Sequence, residues 1–268
     1  MTGVNSEFVL IYLILGAVAG VLAGLLGIGG GLIIVPVLVF AFRAQQFDQQ
    51  LLMHLAVATS LATVVFTAVS SALAHHRRGA VQWSVVGKLA PGIVFGALLA
   101  GTAARFLSND ALRVMFGVFA CAAAANMAWE RGPVGQRDLP GSAGLFAAGG
   151  IIGAISVLVG IGGGTMTVPF LAHCRVDMRT AVGSSAACGF PIAVAGALAL
   201  SVAGRGVAQL PPWSTGYVYW PAACVVALAS IVSAPLGARL AHTLPVRTLR
   251  RVFAVLLLLL GMKLIFSA

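Results

Sequence analysis

GIGGGLIIVPVL, at Gly27 to Leu38, and GIGGGTMTVPFL, at Gly160 to Leu171, are two copies of one signature, identical at eight of twelve positions. Each cluster of helix-breaking glycines is set in apolar sequence suited to crossing a bilayer. The chain around them has 60% hydrophobic and 8% charged residues and a mean hydropathy of +1.05, too little polar surface for a water-soluble domain. It reads as an integral membrane protein.

Apolar runs long enough for a helix to cross a ~30 Å hydrocarbon core fall at 9–26, 51–74, 83–106, 111–129, 143–159, 180–203, 217–241 and 249–267. A shorter apolar arm follows each glycine cluster, at 31–42 and 164–173, and Pro36 and Pro169 are expected to kink these arms or end their regular part. The duplication continues beyond the glycines. AVATSLATVVFTAVSSAL (Ala56 to Leu73) resembles AVGSSAACGFPIAVAGAL (Ala181 to Leu198), Arg78-Gly79 recurs as Arg205-Gly206, and Leu112 to Phe116 as Leu249 to Phe253. The expected organisation is a first membrane repeat at 1–130, a polar linker at 131–142 and a second repeat at 143–268.

Charge distribution decides how the repeats face. If each glycine stretch is a hairpin with the glycines at its tip, one face carries five bases, Arg43, Arg105, Arg113, Arg205 and Lys263, and the other eleven. By the positive-inside rule this bias puts the linker in the cytoplasm and both termini outside, with the repeats inverted relative to one another. The expected fold is therefore an all-α polytopic membrane protein of 8 to 10 segments, two inverted repeats each holding a broken or re-entrant helical hairpin plus three transmembrane helices. MTGVNSE at the start lacks a basic n-region, so the first run reads as a retained span.

Non-helical backbone survives at membrane depth only inside protein or beside a watered cavity. The tips should thus face inward, and each starts a short helix whose first amides have no intrahelical partner. Gly29, Gly30 and Gly31 in one half and Gly162, Gly163, Gly164 and Thr165 in the other are the expected anion cradle, glycine letting an oxyanion approach the amides. Thr59 and Ser60 match Ser184 and Ser185 in the next helices, where hydroxyls donate without adding charge; the competing reading is bonding to helix carbonyls or neighbouring helices. Arg78 and Arg205 are candidates for attracting anions at the entrances. His54, well inside a run but one turn from a helix end, is either a proton relay or an interfacial side chain.

Other chemistry is disfavoured. No acid lies mid-membrane, which argues against cation transport and carboxylate-coupled pumping. GxGxxG lacks a preceding strand and the phosphate loop lacks its Lys. The histidines and the four cysteines (Cys121, Cys174, Cys188, Cys224) show no metal-ligand spacing, so neither cofactor nor metal is expected. A net charge of +10 reflects rim arginines facing lipid headgroups rather than a nucleic-acid stripe. Oligomeric state is open, and an intramembrane enzyme would need a nucleophile paired with a buried base.

GxGGGxxxxPxL near the start of each half, followed by AVATS or AVGSS and then HRRGAVQW (His76 to Trp83), resembles the TauE/SafE sulfite exporter family. The resemblance spans nearly the whole chain and implies an inner-membrane permease for small anions such as sulfite or sulfoacetate. It maps the family pattern onto the six glycines, Pro36, Pro169, the four hydroxyls and Arg78; Ala58 stands where the pattern has glycine. A small carboxylate such as lactate is the alternative cargo, and a non-transporting membrane partner the alternative class.

Overall fold

In the computed structural model, described over residues 6–26, 30–128, 138–240 and 246–266, the chain is almost wholly helical. The first half contains α1 (Ser6–Leu26), α2 (Gly31–Ala44), α3 (Leu52–His76), α4 (Trp83–Ala103) and α5 (Asn109–Ala128). The second half repeats that order as α6 (Ser142–Val159), α7 (Gly164–His173), α8 (Met178–Ala203), α9 (Trp220–Leu240) and α10 (Val246–Phe266). A two-stranded hairpin, Ser214–Thr215 with Val218–Tyr219, interrupts the connection before α9. Helices α3 to α6 and α8 are each long and apolar enough to cross a membrane, and α1, α2, α9 and α10 carry shorter apolar stretches. Leu99, Ile151, Leu228 and Val232 are more than half exposed on the outer surface, as hydrocarbon-facing side chains are.

Both short arms return toward the side from which their hairpin begins. Gln45, the C-cap of α2, donates a side-chain hydrogen bond to the Tyr12 hydroxyl in the early part of α1. Arg175, just past α7, pairs at 3.3 Å with Asp138, just ahead of α6. At 14 and 10 residues, α2 and α7 are about 21 and 15 Å long, too short to cross. Neither proline ends its arm. The helix runs on from Pro36 to Ala44 and from Pro169 to His173, which corrects the expectation that the prolines end the regular part of the arms; one lost amide bond is tolerated where the remaining ladder is enclosed by protein.

The two ends of the bundle carry different loops. At one end His54 of α3 meets Ala104 and Tyr217, and the Met53 amide donates to Asn109 at 2.8 Å, gathering the turns that hold Arg43, Arg105, Arg113 and Arg205. At the other end the Ala80 carbonyl lies against Gly183, bringing the loop with Arg77 and Arg78 to the start of α8 and Arg179. Of the bases expected beside them, Arg131 and Arg137 lie outside the described residues, and the Arg239, Arg247, Arg250 and Arg251 side chains do too.

Helix pairing crosses between the halves. α1 packs along α9 and α6 along α4, while α3 pairs with α8 and α5 with α10. Small residues make the first two pairings possible. A Cβ on Gly92 or Gly96 of α4 would overlap the carbonyl oxygens of Phe146 or Gly150 on α6, and one on Gly149 or Gly153 those of Leu89 or Ile93. On the matching pair, a Cβ on Gly16 would sit 2.5 Å from the Val226 carbonyl, and Ser230 donates to the Gly16 carbonyl at 2.8 Å. These Gly-x-x-x-Gly spacings let helix backbones meet where lipid gives no hydrophobic drive for association.

Candidate functional site

The two glycine tips touch at the centre of the bundle. Gly31 opens α2 and packs on the second tip: a Cβ there would lie 2.6 Å from the Gly160 carbonyl oxygen and 2.9 Å from Ile161 Cα. The residues that cap the arms, Gly30 and Gly163, have φ of 63° and 71°, left-handed backbone that favours glycine. The Gly163 carbonyl accepts from the Met166 and Thr167 amides at 3.1 and 2.8 Å, starting α7, and the Gly164 amide turns back to Gly162 at 2.8 Å. Residues 160–164 are buried, as is Gly31, while Gly30 is half-buried; Gly29 lies outside the described residues. The second tip is therefore shut off from water in this conformation.

The four matched hydroxyls are all fully buried, but their partners differ. Thr59 Oγ1 accepts from the Tyr219 amide at 3.1 Å, and Ser184 Oγ accepts from the Gln82 amide at 2.9 Å. Each ties a central helix of one half to the lead-in of a helix of the other: Tyr219 precedes α9 and Gln82 precedes α4. Ser60 Oγ donates at 2.9 Å to the Gly160 carbonyl, holding α3 to the second tip. Three of the four hydroxyls thus fasten backbone between the halves. Only Ser185 has no hydrogen-bond partner among the described residues.

Ser185 shares that condition with four other buried hydroxyls of the second half: Thr165, Thr167 and Ser156, and Ser214 in the hairpin before α9. Thr165 and Thr167 stand in the first turn of α7, and Thr167 Oγ1 would be 3.4 Å from a Cβ on Gly163. Ser156 is on the last turn of α6; it was not singled out in the sequence. Comparing the halves position by position would have found it, since Ala23 occupies its place in the first copy. A buried hydroxyl without a partner is uncommon in a folded protein. Of these, Thr165 and Thr167 stand at the start of α7, with Ser156 at the end of the helix before it and Ser185 in the first half of the helix after it.

The other candidates lie elsewhere. His54 is buried with Nε2 3.1 Å from the Ala104 carbonyl and its ring 4.8 Å from that of Tyr217, at one end of α3 and not at the tips. Arg78 and Arg205 are exposed at opposite ends, each followed by a positive-φ glycine (Gly79 at 66°, Gly206 at 83°) that turns the chain out of its helix. The buried polar side chains among the described residues are hydroxyls and His54, with no carboxylate.

Thr59→Val is expected to lower the thermal midpoint by the cost of an orphaned Tyr219 amide, about 1–3 kcal/mol, with Thr59→Ser close to wild type. Ser184→Ala should cost a similar amount through Gln82. Unfolding in detergent followed by intrinsic fluorescence measures both.

The chain belongs to the TauE/SafE family: a model described as Sulfite exporter TauE/SafE matches residues 12–264. It is 36% identical to a "Probable membrane transporter protein" of Haemophilus influenzae, over 96% of this chain and 97% of the relative. A similarly described protein of Methanocaldococcus jannaschii is 28% identical over 96% of both chains, and one of Bacillus subtilis is 25% identical over 96% and 97%. No solved structure matches. The protein is a membrane transporter of the TauE/SafE type and not an enzyme.

Proposed function

We propose that the protein moves a small oxyanion, a sulfite-type or sulfonate anion, across the cell inner membrane. The observation that carries this reading is the set of partnerless buried hydroxyls, Thr165 and Thr167 at a glycine-capped helix start and Ser156 and Ser185 on the helices before and after it, with no buried carboxylate among the described residues. Helix N-termini and neutral donors favour negative charge. A cation would find no buried carboxylate to hold it among the described residues. Lactate is the alternative cargo, because a carboxylate uses the same donors.

On this reading residues 1–130 and 143–268 are inverted repeats joined by a cytoplasmic linker at 131–142, with both termini outside. The crossed pairing of α1 with α9 and of α6 with α4 supports it, since each hairpin's first helix leans on the other repeat. Alternating access then consists of one hairpin and its partner helix moving against the other. The bonds from Tyr219 to Thr59 and from Ser60 to Gly160 break and re-form as the tips part. Arg78 and Arg205 attract the anion at the two ends. An inside-negative potential drives a monoanion outward by about 2.3 kcal/mol per 100 mV, about fiftyfold in concentration, so export needs no coupling ion.

Purified protein in liposomes, under an imposed potassium diffusion potential, should give saturable flux of at least one of sulfite, sulfate, thiosulfate, sulfoacetate and lactate. The selectivity order separates sulfonate from carboxylate cargo. Absence of flux for all five would contradict the proposal.

A further inference from the structure

Two segments of the chain have no counterpart in the other half. Pro36 stands twenty positions before Ala56, but Pro169 only twelve before the matching Ala181, so the stretch from α2 to α3 is eight residues longer than that from α7 to α8. Gly79 is four positions before Trp83, whereas the matching Gly206 is fourteen before Trp220, so the lead-in to α9 is ten residues longer than that to α4. The first addition lengthens α2 and its following turn, and the second holds the two-stranded hairpin.

The additions come from different halves, yet they meet at one end of the bundle. Phe42 and Phe47 stack with ring centres 5.2 Å apart, and the Tyr219 ring stands edge-on to both, at 5.6 and 5.2 Å. Gln45 ties the same turn to Tyr12 of α1, and α1 packs along α9, so the additions, the first hairpin and α9 make one body. Gln46 and Trp213, one in each addition, have φ of 60° and 67°, left-handed backbone that persists only where the surroundings fix it. The shorter connections at the opposite end, 79–82 and 174–177, contain no aromatic residue. Enclosure is correspondingly one-sided: Ile33 and Pro36 of α2 are buried, whereas the matching Met166 and Pro169 of α7 are half-buried.

We propose that the two additions form a lid over this end of the bundle, carried by the α1–α2 hairpin and α9 and closing onto α3. Two contacts make the closure. The Tyr217 ring lies 4.8 Å from that of His54, and the Tyr219 amide donates to Thr59 at 3.1 Å, with all four residues buried. His54 belongs to the fixed side, since its Nε2 lies 3.1 Å from the Ala104 carbonyl. α2 places Phe42 about 16 Å from the tip at Gly31, so the aromatic cluster stands between the tips and this membrane face. Opening parts Tyr217 from His54 and the Tyr219 amide from Thr59. That the lid admits an anion rests on the transport reading, whereas its opening does not.

The test fastens the lid to α3. In full-length protein whose four native cysteines are replaced by alanine, His54→Cys and Tyr217→Cys are bridged by a bifunctional methanethiosulfonate. Liposome flux should fall at least tenfold on bridging and return with reductant. Hydrogen exchange, read by mass spectrometry, needs no flux: the peptide carrying the Tyr219 amide should exchange at least tenfold more slowly when bridged, with the α4–α6 seam unchanged. Phe47→Ala, in otherwise native protein, removes the ring that clamps the two additions and needs no bridge. The 45–51 and 213–219 segments should then exchange faster together, again with the α4–α6 seam unchanged. Bridged protein that transports and exchanges as the reduced protein does overturns the lid, as does Phe47→Ala with native exchange in both segments. Slowed exchange on bridging in protein that carries no flux in either state leaves the lid standing and the transport reading refuted.

Discussion

Gly31→Val is expected to reduce anion flux in proteoliposomes by at least tenfold while the protein still purifies as a monodisperse species. The added Cβ meets the Gly160 carbonyl at 2.6 Å and Ile161 Cα at 2.9 Å, both backbone atoms that no rotamer change can move. Relief requires the two tips to part by about an ångström, the scale at which overpacking typically costs about 1–3 kcal/mol. The displaced tip then no longer presents its amides and the Thr165 and Thr167 hydroxyls in one geometry. Gly87 is the control: it is exposed on α4 with nothing within 4 Å of an added Cβ, so Gly87→Ala should leave both flux and stability intact.

Gly96→Leu should prevent assembly altogether. The Cβ alone overlaps the Gly150 carbonyl of α6, and three further carbons have nowhere to go between two helix backbones. The helices cannot separate without opening the α4–α6 seam along its whole length, because Gly92, Gly149 and Gly153 make equivalent close approaches. Loss of the monodisperse peak in size-exclusion chromatography is the expected readout. Gly150 gives a sharp contrast within the same seam. A Cβ there meets only the Gly92 carbonyl at 3.7 Å, an ordinary contact, so Gly150→Ala is expected to assemble normally while Gly149→Ala does not.

Much of this architecture was legible because hydropathy and helix-breaking residues act locally. The run at 51–74 is α3 at Leu52–His76, the run at 180–203 is α8 at Met178–Ala203, and the short arms begin at Gly31 and Gly164 as the glycines require. The partner of each helix was not legible. Gly92-x-x-x-Gly96 announces a close crossing but carries no information on which backbone fills it, and the answer is a helix of the other half.

The hydroxyls show the same limit more sharply. Matched placement of Thr59, Ser60, Ser184 and Ser185 suggested ligand donors, yet hydrogen-bond partners are set by where distant turns land. The Tyr219 amide reaches Thr59 across 160 positions of chain, and Gln82 reaches Ser184 across 102. Such turns bury amides that must be satisfied, so the matched hydroxyls are spent on architecture in three cases. The departures between the halves proved more informative: threonines at 165 and 167, and serine at 156, replace apolar residues of the first copy and remain without partners. The asymmetry of the proposed site lies in those substitutions rather than in the shared motif.

The most direct test of a tip-bound anion is thiol accessibility at Thr165→Cys, in protein whose Cys121, Cys174, Cys188 and Cys224 are replaced by alanine. A membrane-impermeant maleimide is applied from each side in turn, with sulfoacetate or lactate as protectant; sulfite is excluded because it consumes the reagent. Labelling from both sides, slowed by the transported anion, is the predicted result. Labelling that no transported anion slows, or a thiol that neither side reaches in protein that still carries flux, would contradict it.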